Sequence, residues 1–275
     1  MGAAPFHTPQ HLTEQGGNMN IKLSKYLPIL VCSTALLAPC APAAFAQGRT
    51  DSQILTDVQK SLDKKQFRDV KASVDEGRVT LTGNVDYYAA KEDADRRAHH
   101  RKNVKSVDNE IQVGGPHVED NVLLQKLSEK LEYDRVGYGT TAFNNYTLAV
   151  HDGVVTVGGT AYGPTDKDSA LSVVSNYPGV KDVIDDIEVA PLSPNDDRIR
   201  IDAFRAIYGY GALSKYAMDP GKPIRITVVN GNITLNGLVN SQADKDMANL
   251  RANGVPGAFK VTNNLQVAGR STNNK

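Results

Sequence analysis

Three times along the chain, apolar and polar residues alternate on both sides of a short acid-glycine or asparagine-glycine step. Val74-Asp75-Glu76-Gly77-Arg78-Val79-Thr80-Leu81-Thr82-Gly83 returns as Val150-His151-Asp152-Gly153-Val154-Val155-Thr156-Val157-Gly158-Gly159. It returns again as Val228-Val229-Asn230-Gly231-Asn232-Ile233-Thr234-Leu235-Asn236-Gly237. Alternation with a period of two around such a step marks a β-hairpin, which puts Gly77, Gly153 and Gly231 in turns. Gly83, Gly159 and Gly237 end the second strands, where the missing Cβ permits a positive φ or the close approach of a helix. Each copy then carries Lys-acid-x-Ala, at Lys91 to Ala94, Lys167 to Ala170 and Lys245 to Ala248. This predicts a helix whose alanine faces the sheet. A closing strand recurs at Val107 with Ile111 to Val113, Val183 with Ile187 to Val189, and Val261 with Leu265 to Val267.

Upstream, each copy opens with an aspartate followed by one apolar helical face. Leu55, Val58 and Leu62 follow Asp51; Leu124, Leu127 and Leu131 follow Asp120; Ile201, Phe204 and Tyr208 follow Asp197. Each aspartate is available as a helix N-cap. The unit reads α-β-β-α-β, an α+β arrangement in which two helices cover one face of a three-stranded sheet. Three such units span 47–115, 116–193 and 194–275. At roughly 70 residues each, they can bury small cores of their own. The Pro/Gly-rich joints Gly114-Gly115-Pro116 and Pro191 to Asn195 read as hinges.

Residues 1–46 read as a targeting segment. Lys22 and Lys25 precede an apolar run from Tyr26 to Ala38, and Ala44 and Ala46 occupy the positions that a signal peptidase reads. Met19 serves better as initiator than Met1, which makes residues 1–18 an N-terminal extension. The apolar run is shorter than the roughly 20 residues a membrane span needs. Leu37-Ala38-Pro39-Cys40 resembles a lipoprotein box, but proline stands before the cysteine where a small residue is expected, which argues against lipidation of Cys40. Cleavage after Ala46 removes both Cys32 and Cys40, so the mature chain is cysteine-free and expected in a bacterial periplasm.

The hairpins ending in Val-x-Leu-x-Gly, the following helix with its alanine, and the closing Val-x-x-Val with Ile/Leu-x-Val resemble the BON domain family, named for bacterial osmotically induced and nodulation proteins. The resemblance covers residues 51–267 as three tandem copies. It implies a non-catalytic periplasmic protein linked to phospholipid binding, envelope integrity and osmotic stress. The second and third copies depart from the simplest family pattern in the Tyr/Gly-rich connections Tyr133 to Tyr146 and Tyr208 to Pro223, to which the resemblance assigns no role.

Charge adds a further distinction. The chain has 275 residues, with 31 Lys+Arg against 31 Asp+Glu. Neutrality argues against nucleic-acid binding through bulk charge. By copy, however, the net charges are +1, −7 and +5, so the last copy is basic. Its first helix carries Arg198, Arg200 and Arg205, with Tyr210, Lys215 and Tyr216 following. Basic residues and tyrosines suit an anionic headgroup layer, so these six form the candidate lipid-binding set. Arg200 is assigned the position of Ile54 and Leu123, and Tyr208 the core position of Leu62 and Leu131. Tyr210 and Tyr216 are each read as either exposed or buried.

Catalytic signals are weak. His99-His100 point about 100° apart on a helix and cannot chelate one metal together. Asp182, Asp185, Asp186 and Glu188 lack a calcium-loop pattern, and no phosphate loop or nucleophile elbow is present. The reading is therefore no enzyme, no catalytic or metal-ligating residues and no cofactor. The expected partner is an anionic phospholipid surface met peripherally. The alternative is a periplasmic scaffold or chaperone that binds envelope proteins at open sheet edges.

Overall fold

In the computed structural model, residues 50–136, 139–219 and 223–269 are described. The targeting segment, its cleavage site and Cys40 lie outside the described residues. The first copy comprises α1 (Asp51–Ser61), β1 (Val70–Asp75), β2 (Arg78–Val85), α2 (Tyr88–His99), β3 (Ser106–Asn109) and β4 (Gln112–Val113). The second comprises α3 (Asp120–Glu132), β5 (Asn145–His151), β6 (Val154–Ala161), α4 (Pro164–Ser175) and β7 (Asp182–Val189). The third comprises α5 (Pro194–Tyr208), the short α6 (Lys215–Met218), β8 (Arg225–Val229), β9 (Asn232–Asn236), β10 (Leu238–Val239), α7 (Gln242–Asn253), β11 (Lys260–Asn263) and β12 (Gln266–Val267).

In the main sheet of each copy the second hairpin strand is the middle one, and in the third copy β10 and β12 form a separate parallel pair. The middle strand pairs antiparallel with the first hairpin strand and parallel with the closing strand. Register is also shared, with Arg78 opposite Ser106, Val154 opposite Asp182, and Asn232 opposite Lys260. In the first and third copies the closing strand is split at Asn109 and Asn263, whose side chains donate to the Lys91 and Lys245 carbonyls of the covering helix. Helix and sheet meet across Ala94, Ala170 and Ala248, all fully buried against inner-strand pairs such as Val79/Leu81, Val155/Val157 and Ile233/Leu235. A small side chain at that crossing lets the helix axis lie close to the sheet.

Each turn is two residues with positive φ, Glu76-Gly77, Asp152-Gly153 and Asn230-Gly231, as the twist of a tight hairpin requires. Gly83 and Gly159 also have positive φ, but the backbone that crowds them is not a helix. A Cβ added there would lie 2.0 Å from the Asp69 carbonyl oxygen or 2.1 Å from that of Asn145, where the chain leads into the neighbouring strand.

The opening aspartates do something other than start helices. Asp51 accepts from the backbone N–H groups of Glu76 and Gly77 at 2.8 and 2.9 Å, and Asp120 from those of Asp152 and Gly153 at 2.8 and 3.0 Å. In the third copy the residue in this role is Asp196, not Asp197, accepting from Asn230 and Gly231 at 2.9 and 2.7 Å. That corrects the register of α5 by one. Its core residues are Ile199, Ala203 and Ile207, matching Ile54/Val58/Leu62 and Leu123/Leu127/Leu131, while Ile201 is 45% exposed. Tyr208 is buried as well, with its hydroxyl donating to the Ile224 carbonyl at 2.7 Å.

The joints differ from the hinges expected at Gly114 to Pro116 and Pro191 to Asn195, because successive copies are packed together. Tyr88 of the first copy lies against the core of the second, and Ala142 and Phe143 of the second join the core of the third. Phe143 sits 5.8 Å from Phe204, ring centre to ring centre. The apolar groups that close these joints lie far from the connectors, so connector composition alone does not reveal them.

Candidate functional site

α5 opens on Ser193, whose hydroxyl accepts from the Asp196 N–H at 3.2 Å, with Pro194 in the first turn. Its outward face carries Arg198, Ile201 and Arg205, spaced three and four residues apart and so aligned on one side of the helix. Arg198 donates to Asn195 Oδ1 at 2.9 Å, and Arg205 faces Asp202 at 3.7 Å. Both arginines are exposed, and pairings of this kind contribute little to stability. The two guanidinium groups and the half-apolar position between them form the basic stripe of this copy.

Arg200 is elsewhere. It is 2% exposed, donates to the Val228 carbonyl at 3.0 Å, pairs with Asp197, and lies 4.7 Å over the Tyr162 ring of the second copy. In the corrected register Arg200 aligns with the half-buried Leu55 and Leu124 and not with Ile54 and Leu123. Its contacts with Val228 and Tyr162 place it in the joint, so it is removed from the candidate lipid-facing set. Arg225 does similar work, donating to the Thr141 carbonyl of the second copy at 2.6 Å. Two positive charges of the third copy are thus used between copies, Arg200 over the Tyr162 ring and Arg225 on the Thr141 carbonyl, with the carboxylate of Glu132 in the second copy favouring the charge of Arg225.

Tyr216 is also buried, at 4% exposure, and leaves the set for the same reason. Its hydroxyl donates to Asp244 Oδ2 at 2.8 Å and accepts from the Asn240 N–H at 2.7 Å. Lys215 remains partly exposed but is held at 3.0 Å by the same carboxylate, which raises its pKa. Tyr210 is half-buried, with the Arg251 guanidinium 5.5 Å over its ring. The structure therefore brings Arg198 and Arg205 together, groups Lys215 and Tyr216 around Asp244, and separates Arg200 from both.

Asp244 and its counterpart Asp166 are the residues that sequence reasoning passed over. Both are buried in the first turn of a sheet-covering helix. Asp166 accepts from Thr140 Oγ1 at 2.7 Å and Asn144 Nδ2 at 3.0 Å, with Arg135 Nε 2.8 Å away. Asp244 takes Lys215, Tyr216 and its Ser241 cap. Burial opposes the charge of Asp244, but those three hydrogen bonds prevail and hold its carboxyl below the ordinary range. Each carboxylate thus pins the long Tyr/Gly-rich connection of its own copy. The first copy has Ala90 at this place and no such connection. An aspartate confined to the two copies with insertions was the available signal.

A cleft of about 800 Å³ lies between the second and third copies, lined among others by Glu132, Tyr133, Tyr146, Asp219 and Arg225. Among the described residues, no group of three or more His, Cys, Asp or Glu is placed to hold a metal, and no helix is long and apolar enough to cross a membrane. Asp185 of the acidic strand is occupied locally, accepting from the Ile187 N–H at 3.0 Å and pairing with Lys167 at 2.8 Å. His99 pairs with Asp95 at the solvent-facing end of α2.

The profile of the BON domain matches three segments of the chain, residues 50–115, 119–191 and 211–269. A curated protein of Anaplasma centrale, "Uncharacterized protein in gshII 5'region", is 31% identical over 137 residues, covering 49% of this chain and 91% of that one. Among solved structures, CdsD, a structural protein of the type III secretion system of Chlamydia trachomatis, is 14% identical, covering 78% of this chain and 92% of that one at a TM-score of 0.22. Its C-terminal domain gives 13% identity and a TM-score of 0.23, covering 80% and 99%. Scores this low define no shared arrangement of the copies.

Proposed function

The chain belongs to the BON domain family, in three tandem copies, and from that premise we propose that it is a non-catalytic periplasmic protein of the cell envelope that binds anionic phospholipid surfaces peripherally. Family membership supports the envelope association. The observation that carries the lipid reading is the exposed stripe Arg198-Ile201-Arg205 on α5 of the basic third copy. Two arginines flanking an exposed apolar side chain match a layer of phosphates above acyl chains.

Liposome flotation tests the reading. The compact unit 46–275 should float with vesicles containing phosphatidylglycerol and not with phosphatidylcholine alone. At about 1 kcal/mol per basic residue near such a surface, replacing Arg198 and Arg205 by serine weakens binding by roughly thirty-fold in low salt. The loss should be smaller at physiological ionic strength, where the Debye length is about 8 Å. Equal flotation with both vesicle types, or with neither at low salt, would sink the reading.

A further inference from the structure

One position differs between the copies in a way that charge counting does not reveal. After each sheet-covering helix, the chain returns to the hairpin and one residue donates its backbone N–H to the turn glycine: Lys105 to Gly77 at 2.8 Å, Lys181 to Gly153 at 2.9 Å, and Phe259 to Gly231 at 2.9 Å. In all three the side chain lies across the glycine. An added Cβ would stand 3.3 Å from Lys105, 3.2 Å from Lys181 and 2.6 Å from the Phe259 ring. The positions are therefore geometrically equivalent. Two copies place there a lysine, which holds its ammonium in water, and the third places a phenylalanine that is 81% exposed.

The ring is not an isolated surface residue. Leu192, 90% exposed, stands one residue before the cap of α5. The first turn of that helix reaches the same hairpin tip, through Asp196 on the Asn230 and Gly231 N–H groups. Arg198 of the basic stripe lies over Gly257, two residues before Phe259, its guanidinium 3.4 Å from where a Cβ would be, and the exposed Lys260 follows. An exposed aromatic ring beside a hydrogen-bonded hairpin tip, bordered by an arginine and a lysine, is the chemistry of a membrane-interface anchor.

We propose that Phe259 is the point at which the third copy enters an anionic bilayer, its ring at the boundary of headgroups and acyl chains and Arg198 on the phosphates. This rests on the lipid reading and adds to it an insertion, which charge alone does not require.

The chain has no tryptophan, so Phe259→Trp supplies a single reporter. With unit 46–275 and vesicles of phosphatidylglycerol and phosphatidylcholine, the emission of this variant should shift to the blue and be quenched by brominated acyl chains, with neither change on phosphatidylcholine alone. Phe259→Lys restores the residue of the other copies and adds a positive charge. It should nevertheless bind roughly ten-fold or more weakly, because the loss of a buried phenyl group outweighs one headgroup contact. The exposed position keeps this variant folded, and circular dichroism checks it. If the unsubstituted unit sediments with anionic vesicles while the indole emission of Phe259→Trp stays unshifted and unquenched, or the lysine variant binds as well or better, the insertion is refuted and the lipid reading stands. If the unsubstituted unit sediments with no anionic vesicle, both fall.

Discussion

Replacing Asp196 by alanine removes the two hydrogen bonds that tie α5 to the third hairpin, at 2.9 and 2.7 Å. Asp196 is 2% exposed and the Gly231 N–H that it satisfies is buried, so water cannot replace the lost acceptor without opening the turn. Hydrogen bonds to a charged group contribute about 1.5–3 kcal/mol each, and a buried donor left alone costs a similar amount. Allowing for partial relaxation, Asp196→Ala should destabilise the third copy by about 3 kcal/mol, or about 6–12 °C in melting temperature for a unit of this size. Asp196→Asn retains one acceptor and should lose about half as much. Asp202→Ala, which breaks only the exposed 3.7 Å pair with Arg205, serves as control and should change stability by less than about 1 kcal/mol. Calorimetry or urea unfolding of unit 46–275 reads all three. An Asp196→Ala melting temperature within about 2 °C of the control would refute the turn-clamping role.

Arg200→Ala should leave vesicle binding unchanged and cost about 2 kcal/mol of stability, since it takes the donor from the Val228 carbonyl and uncovers the Tyr162 ring; a binding loss equal to that of the Arg198 variant would overturn the placement of Arg200 in the joint. Gly159→Ala should destabilise the second copy by about 3 kcal/mol or more, because strained φ is compounded by the 2.1 Å clash with the Asn145 carbonyl, whereas Gly139→Ala, with open space around it, should cost about 1 kcal/mol in thermal unfolding. The carboxyl of Asp244 titrates below its ordinary 3.8 when folded, so its stabilisation is complete above that value and is lost as pH falls through the lower folded pKa. Urea midpoints between pH 5 and 2 should therefore fall less steeply in Asp244→Asn, and parallel curves would contradict the assignment.

The hairpins and the alanine-faced helices were legible because both rest on local chemistry: a Glu-Gly, Asp-Gly or Asn-Gly step needs positive φ, and a helix crossing a sheet needs a small residue. The opening aspartates were visible as residues but not as ligands of a turn 25 to 35 positions away, since nothing in the spacing of Asp51 and Gly77 announces a contact. In the third copy, Asp196 and Asp197 are neighbours and both Ile199/Ala203/Ile207 and Ile201/Phe204/Tyr208 keep helical period. Only the reach to Gly231 decides between them. The one-residue difference moves Arg200 from the position of Ile54 and Leu123 to that of Leu55 and Leu124, and its contacts with Val228 and Tyr162 divide the candidate lipid set. Tyr216 followed because its hydroxyl has a partner in Asp244, which no local pattern connects to it.

The cores borrow in one direction. The first is built from its own residues, the second takes Tyr88 from the copy before it, and the third takes Ala142 and Phe143 from the copy before it. A chain made from its N-terminus therefore has every guest residue in hand before its host appears, and no copy waits for sequence still to come. Stop codons and deletions should act unequally. Losing the third copy leaves the cores of the first two complete, whereas a fragment starting at residue 194 lacks the segment that closes its own core. Duplication has here produced a series with an order, in which each copy is finished against the one already in place.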